Sequence, residues 1–510
     1  MTAPPAPSGS LDISASAPAA RLTLSPERPT HFVGIGGIGM SGLAKLLLEA
    51  GLPVSGSDVA ENANTRLLSD SGAHIAIGHA SANVPANATV IASTAIRRDN
   101  PEVAIALERG QAIFHRSDLL REILHGEAMG SAQTIGVAGA HGKTSATGMI
   151  AVSLLAAGQQ PTVIVGGKLP GWQTNALAGT HRRIAVAELD ESDGSLTRYQ
   201  PTHAVLLNIE LDHADHFTGG LPQVAALFGD FVAALPPGAF LYFNAACAQT
   251  VAVVSQYLQG HDKRPVALFP DASTPETSDL SVFFQRFPQT LRYAIQTPST
   301  DTHGCYGGIV LKNGDPLATL QMAIPGAHQL FNAMAALAIS DQLGLSLTPI
   351  TQALNAFSGM GRRFERLAET PFGVLVDDYA HHPTETLAMT RAGRDWLARS
   401  AGRLIVIFQP HRYTRLKTFW DEFLQAFDGA DVLYVCDVYA ASEDPIAGID
   451  SRAFCAALRQ AGIQAEIRYW PGRDWNALRV QLQAEGSRDD LIMTMGAGDI
   501  THALRGWPWT

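Results

Sequence analysis

Short apolar runs alternate with longer amphipathic stretches along most of the chain. Residues 31–33 form the first run and a second run ends at Asp58, with helix-forming residues 41–50 between them. Strand and helix in turn predict parallel sheets that are covered by helices. The alternation restarts at residues 134–138 and again after residue 361. The pattern therefore predicts an α/β protein with three consecutive domains and mainly parallel sheets.

Changes in composition indicate the domain limits. Residues 1–28 are rich in Ala, Pro and Ser and lack the basic start and long apolar stretch of a secretory signal, so we expect a disordered extension. A polar, glycine-containing patch near residue 128 and the glycines at 359–361 mark two further limits. Residues 261–308 look loop-rich. The predicted domains are 29–128, 129–358 and 359–510.

Length and charge exclude several protein classes. The 510 residues exceed what one hydrophobic core usually supports. The 36 Lys and Arg against 47 Asp and Glu give a net charge of −11, which argues against a general nucleic-acid or anionic-membrane binder. The four cysteines lack CxxC spacing, and no uncharged apolar run reaches ~18 residues. We therefore expect a soluble, cytoplasmic monomer or homodimer without nucleic-acid partners, disulfides or membrane insertion.

The first strand runs into a glycine-rich turn. Residues 34–39 match GxGxxG before a helix, and Asp58 follows about twenty residues later. Glycines let the backbone approach a diphosphate, the helix N-terminus offers free N–H groups, and Asp58 can accept a ribose hydroxyl. NAD and a UDP-sugar satisfy the same physics, so both stay open beside a purely structural turn.

A second glycine loop, GAHGKTS at residues 139–145, joins a buried-type strand to a helix. This order of strand, loop and helix is typical of a phosphate-binding loop. Lys143 would face the β- and γ-phosphates, and Thr144 would be available to Mg²⁺. The loop is not a strict Walker A pattern, because Val137 stands where that pattern needs Gly.

Two apolar runs of the middle domain end in acidic residues and histidines. The first ends in Glu188 and three further carboxylates up to Asp193, and the second precedes His213 and His216. Ligands gather at the carboxyl ends of parallel strands, so both clusters are expected to share one crevice. A magnesium site, a zinc site on the histidine pair and plain solvated loops are all open, and the nearby phosphate loop favours Mg²⁺.

Two polar segments follow strands of the third domain. They are DDYAHHPT at 377–384 and FQPHRYTR at 408–415. Tandem histidines and spaced arginines after apolar strands indicate a face that binds carboxylates or phosphates.

Taken in order, the motifs of all three domains resemble those of the Mur ligases. They are HFVGIGGIGMSGLA, GAHGKTSATGMIA, AELDESD, NIELDHADHF, GMGRRFE, DDYAHHPTE, FQPHRYTR and the carboxyl-terminal GAGDI. The resemblance implies a Rossmann-like UDP-binding domain, a central P-loop ATPase domain and a Rossmann-like amino-acid-binding domain. It covers nearly the whole chain except the N-terminal tail.

The resemblance also implies an activity. It is the ATP-dependent, ADP-forming ligation of L-alanine to the lactyl carboxylate of UDP-N-acetylmuramate, through an acyl phosphate and with Mg²⁺, in peptidoglycan synthesis. The FQPHRY string favours free L-alanine over the tripeptide of a murein-peptide ligase in cell-wall recycling. An NAD-dependent dehydrogenase would leave the Gly-Lys-Thr loop unexplained. A regulatory ATP switch would hydrolyse ATP without needing an amino acid.

Residue by residue, the resemblance implies four sets of contacts. The UDP-substrate site would contain Gly34, Gly36, Gly37, Ile38, Gly39, Met40 and Asp58. The ATP site would contain Gly139, Ala140, His141, Gly142, Lys143, Thr144, Ser145, Asn332, Arg363 and Asp378. The metal ligands would be Thr144, Glu188 and His213, and the amino-acid site would contain Tyr379, His381, Arg412 and Arg415. The catalytic residues would be Lys143, Glu188, His213 and Arg363.

Three positions depart from the family pattern. Gln329 replaces the first Asn of the usual H-N-x-x-N, so no nucleotide contact is assigned to it. Ala140 replaces Thr or Ser, which removes a hydroxyl but leaves the backbone donors. His216 stands where Tyr is common and receives no role.

Overall fold

The computed structural model describes residues 22–214, 216–259, 262–441 and 443–506. These residues form three β-sheets with surrounding helices, and most neighbouring strands are parallel. The predicted α/β class with three consecutive domains is confirmed. Of the predicted extension, residues 1–21 lie outside the described residues. Within residues 22–28, Leu22 and Leu24 bury their apolar side chains in the core, which a disordered segment would not do.

The first domain places its glycine loop at the centre of a parallel sheet. Its elements are β1 (Thr30–Val33), α1 (Ile38–Glu49), β2 (Val54–Asp58), α2 (Ala63–Asp70), β3 (His74–Ile77), β4 (Thr89–Ala92), α3 (Pro101–Glu108), β5 (Ile113–His115) and α4 (Arg116–His125). The strand order is β3-β2-β1-β4-β5. The order reverses between β1 and β4, and such a switch point is where open α/β sheets bind ligands.

The middle domain is built on a ten-stranded sheet. Its elements are β6 (Gln133–Ala138), α5 (Lys143–Ala156), β7 (Thr162–Ile164), β8 (Ala176–Leu177), β9 (Ile184–Glu188), β10 (His203–Leu206), α6 (Leu221–Ala233), β11 (Phe240–Asn244), α7 (Ala248–Tyr257), β12 (Arg264–Phe269), α8 (Ser278–Arg286), β13 (Leu291–Thr300), β14 (Cys305–Lys312), β15 (Asp315–Pro325), α9 (Ala327–Gln342) and α10 (Leu347–Asn355). The order is β15-β14-β13-β12-β11-β10-β6-β9-β7-β8. The expectation of a loop-rich segment at 261–308 is wrong, because β12, α8, β13 and the start of β14 lie there.

The third domain brings the ends of its central strands together at one edge. Its elements are β16 (Glu365–Thr370), β17 (Gly373–Asp378), α11 (Pro383–Trp396), β18 (Leu404–Phe408), α12 (Tyr413–Thr418), α13 (Trp420–Phe423), β19 (Val432–Cys436), α14 (Ser451–Gln460), β20 (Glu466–Trp470), α15 (Trp475–Glu485) and β21 (Leu491–Met495). The order is β16-β17-β21-β18-β19-β20. Because β17 and β18 flank β21 in parallel, the polar segments after both strands lie near each other.

The first and middle domains share one apolar core. Ile123 of α4 and Leu189, just after β9, belong to the same buried cluster. In the part of the chain that the structure describes, no helix combines the length and the apolar character that crossing a bilayer requires.

Candidate active site

The loop between β6 and α5 folds around its own lysine. Gly139 and Gly142 have φ angles of 143° and 82°, which favour glycine. The Nζ of Lys143 donates to the carbonyls of Gly139 (2.5 Å) and Ala140 (3.1 Å), and to both carboxylate oxygens of Glu191 (2.8 and 3.0 Å). Burial alone would lower the pKa of Lys143, but nearby carboxylates, Glu191 foremost, raise it. The ammonium therefore stays charged.

Thr144 and Glu188 form an oxygen-rich pair beside this lysine. The Thr144 hydroxyl donates to Oε1 of Glu188 at 3.1 Å, and the N–H of Gly166 donates to Oε2 at 2.6 Å. A hydroxyl and a carboxylate are the oxygen ligands that Mg²⁺ prefers. These two predicted metal ligands therefore fit a magnesium ion.

His213, the third predicted metal ligand, lies in an unusual backbone conformation. Its φ is 51°, and its N–H donates to Oδ1 of Asp212 at 2.6 Å. Burial lowers the pKa of His213, which keeps the imidazole neutral.

A cavity of about 480 Å³ lies between the middle and C-terminal domains. The phosphate loop, the end of β10 and the start of α9 form one wall, and α11 contributes to the other. This volume is within the range of small-molecule sites. The predicted ATP-binding residues that line it are His141, Gly142, Ser145, Asn332, Arg363 and Asp378.

Two buried amides of α9 line this cavity with unpaired polar atoms. Asn332 and Gln329 are each 3% exposed. Among the described residues, Nδ2 of Asn332 and Oε1 of Gln329 have no hydrogen-bond partner. A buried unpaired polar atom costs free energy unless a ligand or water satisfies it. The cavity therefore fits a polar ligand, and Gln329 lines it although the sequence assigned no contact to it.

Arg363 and Asp378 reach the cavity from the C-terminal domain. Nη1 of Arg363 lies 3.4 Å from Oε1 of Glu385, and its guanidinium lies 5.2 Å from the ring centre of Tyr379. Asp378 accepts two backbone N–H bonds at 2.6 and 2.7 Å. Burial raises the pKa of Asp378 to about 6, against the opposing effect of Arg363. Opposite charges therefore face the cavity from this domain.

Tyr379 and His381, two of the predicted amino-acid ligands, lie together at the end of β17. Their ring centres are 5.1 Å apart. Nδ1 of His381 lies 3.2 Å from Oε2 of Glu385 and 2.9 Å from the carbonyl of Tyr379. These contacts fix the imidazole beside the tyrosine.

The two predicted arginines lie at the N-terminal end of α12 and line a common cleft. Nη2 of Arg415 donates to Oδ1 of Asp212 at 2.6 Å, and both side chains are more than 90% buried. The cleft that Arg412 and Arg415 share with His213 has a volume of about 10 Å³, which is room for about one water molecule. Arg415 is therefore already engaged with the middle domain.

The glycine loop of the first domain is closely packed. The N–H of Gly36 donates to Oδ2 of Asp58 at 2.8 Å, and a Cβ on Gly36 would lie 2.8 Å from Thr65. Ile38 is 43% exposed in the first turn of α1, whereas the side chain of Met40 packs in the core. Asp58 thus braces the loop, and Met40 can offer a ligand only its backbone.

Arg116, which no sequence motif indicated, connects this loop to the acidic cluster of the middle domain. Its Nη2 donates to Asp190 at 2.7 Å and to Asp193 at 3.3 Å. A Cβ added to Gly39 would lie 3.3 Å from its Nη1, so the guanidinium packs against the glycine loop. The partners are 74 and 77 residues away in sequence, so local pattern could not reveal the pair. Glu385 was also missed, although it ends the DDYAHHPTE motif.

Three Mur ligase family models match the chain in succession. They are described as the Mur ligase family catalytic domain (residues 29–127), the Mur ligase middle domain (137–340) and the Mur ligase glutamate ligase domain (362–498). The UDP-N-acetylmuramate–L-alanine ligase of Trichlorobacter lovleyi is 38% identical over 93% of this chain and 96% of its own length. This chain belongs to the Mur ligase family. The enzyme of the same name from Methylocella silvestris is also 38% identical, over 94% of this chain and 97% of its own length.

Solved structures of Mur ligases share the architecture. The UDP-N-acetylmuramate-alanine ligase of Thermotoga maritima matches with a TM-score of 0.73 and 26% identity, over 93% of this chain and 97% of that chain. A murein peptide ligase from Psychrobacter arcticus matches with a TM-score of 0.65 and 21% identity, over 94% and 97%, which shows the shared fold.

Proposed function

We propose that this Mur ligase joins L-alanine to the lactyl carboxylate of UDP-N-acetylmuramate and converts ATP to ADP and phosphate. The observation that carries the proposal is an identity of 36–38% over 92–94% of the chain to proteins named for that ligation. The phosphate loop, the cavity and the paired arginines support it chemically.

In this proposal ATP occupies the cavity between the middle and C-terminal domains. The N–H groups of residues 139–145 and the ammonium of Lys143 hold its phosphates. Lys143 would exchange the carboxylate of Glu191 for phosphate oxygens. The unpaired Nδ2 of Asn332 can donate to the nucleotide, and Arg363 and Asp378 would contact it from the C-terminal domain.

Thr144, Glu188 and His213 would hold Mg²⁺ beside the phosphates. The ion, when bound, offsets the negative charge of the phosphate oxygens during transfer. Thr144 and Glu188 are already within hydrogen-bonding distance of each other, so the chain supplies two of the ligands without rearrangement.

UDP-N-acetylmuramate would bind at the switch point of the first sheet. The loop at 34–39 approaches the diphosphate through its backbone, and the exposed Ile38 lies in the first turn of the following helix. Asp58 keeps the loop in place through Gly36. Arg116 would hold the first domain, with UDP-N-acetylmuramate bound, against the middle domain.

L-Alanine would bind beside α12. Its carboxylate is the group that the enzyme can bind most strongly, because the amine must stay free to attack. Arg412 and Arg415 would grip that carboxylate, since a guanidinium can offer two parallel N–H bonds. Tyr379 and His381 would close the pocket, and Asp212 positions Arg415.

The reaction then has two steps. A carboxylate is a poor electrophile, so its oxygen first attacks the γ-phosphorus of ATP, which gives an acyl phosphate and ADP. The neutral amine of L-alanine attacks the acyl carbon, and the tetrahedral intermediate breaks its C–O bond to phosphate, which leaves as hydrogen phosphate with the proton lost from the amine, to give the amide. Lys143 and the loop amides stabilise charge on the transferred group, and the closed domains exclude water that would hydrolyse the acyl phosphate.

A phosphate-release assay tests the proposal. UDP-N-acetylmuramate and ATP are supplied with L-alanine, D-alanine, L-glutamate or the murein tripeptide in turn. We expect release with L-alanine only. Release with the tripeptide alone would assign the chain to cell-wall recycling, and release without any amino acid would indicate a regulatory ATPase.

A further inference from the structure

A second group of metal-ligating side chains shares no residue with the set Thr144, Glu188 and His213. It consists of His141 in the phosphate loop, Glu210 after β10 and His382 before α11, and one ligand atom from each lies within 4.8 Å of the others. We propose that these three residues form a binding site for a divalent transition metal of the zinc class, which joins the middle domain to the C-terminal domain. The site does not depend on the proposed ligase reaction.

His382 is oriented as a metal-binding histidine usually is. It is 3% exposed, and its Nε2 lies 3.1 Å from the carbonyl oxygen of Leu211. A carbonyl can only accept, so Nε2 carries the proton and Nδ1 carries the lone pair. This Nδ1 is buried at the start of α11 beside the backbone N–H of Glu385, and among the described residues it makes no close hydrogen bond. Metal-bound histidines typically donate their second N–H to a carbonyl or carboxylate, which fixes the ring.

His141 and Glu210 would supply the other two ligands. Burial alone would lower the pKa of His141, but hydrogen bonds to Glu210 and Glu385 raise it to about 10, so a metal at Nε2 must displace a proton. Nε2 of His141 lies 3.5 Å from Oε2 of Glu210, while its Nδ1 lies 3.4 Å from Oε1 of Glu385. Glu385 can therefore keep the Nδ1 proton while Nε2 binds a metal. Oε2 of Glu210 also accepts the hydroxyl of Thr384 at 2.7 Å, which holds the carboxylate in place.

The donor set selects the metal class. Two imidazole nitrogens and one carboxylate suit Zn²⁺ or Co²⁺, whereas Mg²⁺ prefers oxygen ligands and water. Tetrahedral bonds of ~2.1 Å place ligand atoms ~3.4 Å apart. The separation of 3.5 Å between His141 and Glu210 already matches this value, and the other separations are at most 4.8 Å, so His382 must approach by up to ~1.4 Å. Three protein ligands leave the fourth position for water.

A metal at this site would connect two domains. His141 and Glu210 belong to the middle domain and line the cavity, while His382 belongs to the C-terminal domain. A metal bound to all three would therefore link the middle domain to the C-terminal domain.

Cobalt titration of the purified full chain, without nucleotide or Mg²⁺, tests the site. Co²⁺ in a four-coordinate nitrogen and oxygen site gives visible absorption, and Zn²⁺ should displace it. His382→Asn and Glu210→Gln each remove one ligand and should weaken binding at least ~10-fold. His213→Asn, which removes a ligand of the predicted magnesium site, and His181→Asn, at an exposed histidine, should leave the absorption unchanged.

Thermal unfolding without metal identifies a variant that fails to fold. If one of the two ligand variants fails to fold, the other still tests the site. Loss of the absorption in His382→Asn and Glu210→Gln, with retention in both other variants, supports the site. Loss in His213→Asn alone would place the metal at the magnesium ligands and overturn the proposal. Absence of the band in the unsubstituted chain, or its persistence in all four variants, would also overturn it.

Discussion

The ammonium of Lys143 lies between two carbonyls of its own loop and the carboxylate of Glu191. A phosphate group can take the place of that carboxylate, so the buried pair keeps the lysine charged and oriented before ATP arrives. The carboxylate is 3% exposed and therefore depends on Lys143 for its own charge balance.

Two substitutions separate the catalytic role of Lys143 from its structural role. Lys143→Ala should lower kcat at least ~100-fold, because one preorganised charge contact contributes ~3 kcal/mol to the barrier. It should also lower the thermal unfolding temperature, since Glu191 becomes an unpaired buried carboxylate. The double variant Lys143→Ala/Glu191→Gln should recover that temperature and stay inactive. Near-normal turnover in either variant would exclude Lys143 from the mechanism.

Both arginines of the predicted alanine site should affect the reaction with L-alanine. Arg412→Lys should lower kcat/KM for L-alanine ~30-fold or more, because a lysine cannot form two parallel bonds to a carboxylate. Arg415→Lys should lower kcat/KM for L-alanine and also the thermal unfolding temperature, because Arg415 forms the buried pair with Asp212. Steady-state KM values for all three substrates decide the matter. Unchanged kinetics with L-alanine in both variants would rule out this assignment.

For single residues, the sequence predicts the chemical role of a side chain better than it predicts the partners of that side chain. Lys143 and Thr144 could be identified because a phosphate loop is a local pattern of strand, glycines and helix. The partners of Lys143 and Arg415 could not, because Glu191 and Asp212 lie 48 and 203 residues away in sequence. Only the tertiary fold brings these charges together.

Helix α3 is fixed to strands β1 and β2 through a buried carboxylate. Glu102 is fully buried, accepts from Ser57 (2.5 Å) and Asn83 (2.6 Å), and lies 3.3 Å from Nε2 of His31. Burial alone would raise the pKa of Glu102, but the hydrogen bonds outweigh it and lower the pKa to about 2. The carbonyl of Ser57 in turn accepts the N–H groups of Gly34 and Ile35, so this cluster supports the first glycine loop.

The lowered pKa of Glu102 makes the stability of α3 depend on pH. The stabilisation is fully present above pH ~4.5 and is lost as the pH falls through 2, and it amounts to about 3 kcal/mol. Glu102→Gln should therefore speed hydrogen–deuterium exchange of α3 at pH 7, and the difference from the unsubstituted chain should shrink below pH 4.5. Glu108→Gln, at an exposed position of the same helix, is the control. Equal exchange in both variants at pH 7 would contradict the expectation.

Strands with a clear hydrophobic pattern could be predicted from the sequence, whereas strands near the edge of a sheet could not. The strands at 404–408 and 432–436 are continuous apolar runs, which is typical of strands buried on both faces. β13 has five exposed residues in its second half, and polar residues interrupt its pattern. Its strand conformation depends on antiparallel pairing with β14, which a local reading cannot detect.

Besides their shared apolar core, charged contacts join the first two domains, and Arg116 provides one of them. Arg116→Gln should raise KM for UDP-N-acetylmuramate about tenfold, the effect of losing one charged hydrogen bond, while KM for ATP stays within twofold. Arg121→Gln, at an exposed position of the same helix, should change neither value. An equal rise for both substrates in Arg116→Gln would point to a general loss of structure instead.

At the scale of the whole molecule, the succession of motifs was enough to predict three α/β domains. Each domain carries its own glycine or histidine loop after a strand, and that arrangement is readable from one sequence. The relative placement of the domains was not readable, because it rests on side-chain pairs such as Asp212 with Arg415, which sequence spacing does not relate.

The cavity proposed to hold the nucleotide has walls from two domains, so we expect product release to require their separation. ADP bound between α9 and α11 would leave as those helices move apart, and that movement must displace solvent. The viscosity of the solvent would then limit the rate of ADP release. We expect kcat to fall in proportion to relative viscosity in sucrose solutions, while kcat/KM for L-alanine changes less. A kcat that is insensitive to viscosity would show that a chemical step, rather than separation of the walls, is slowest.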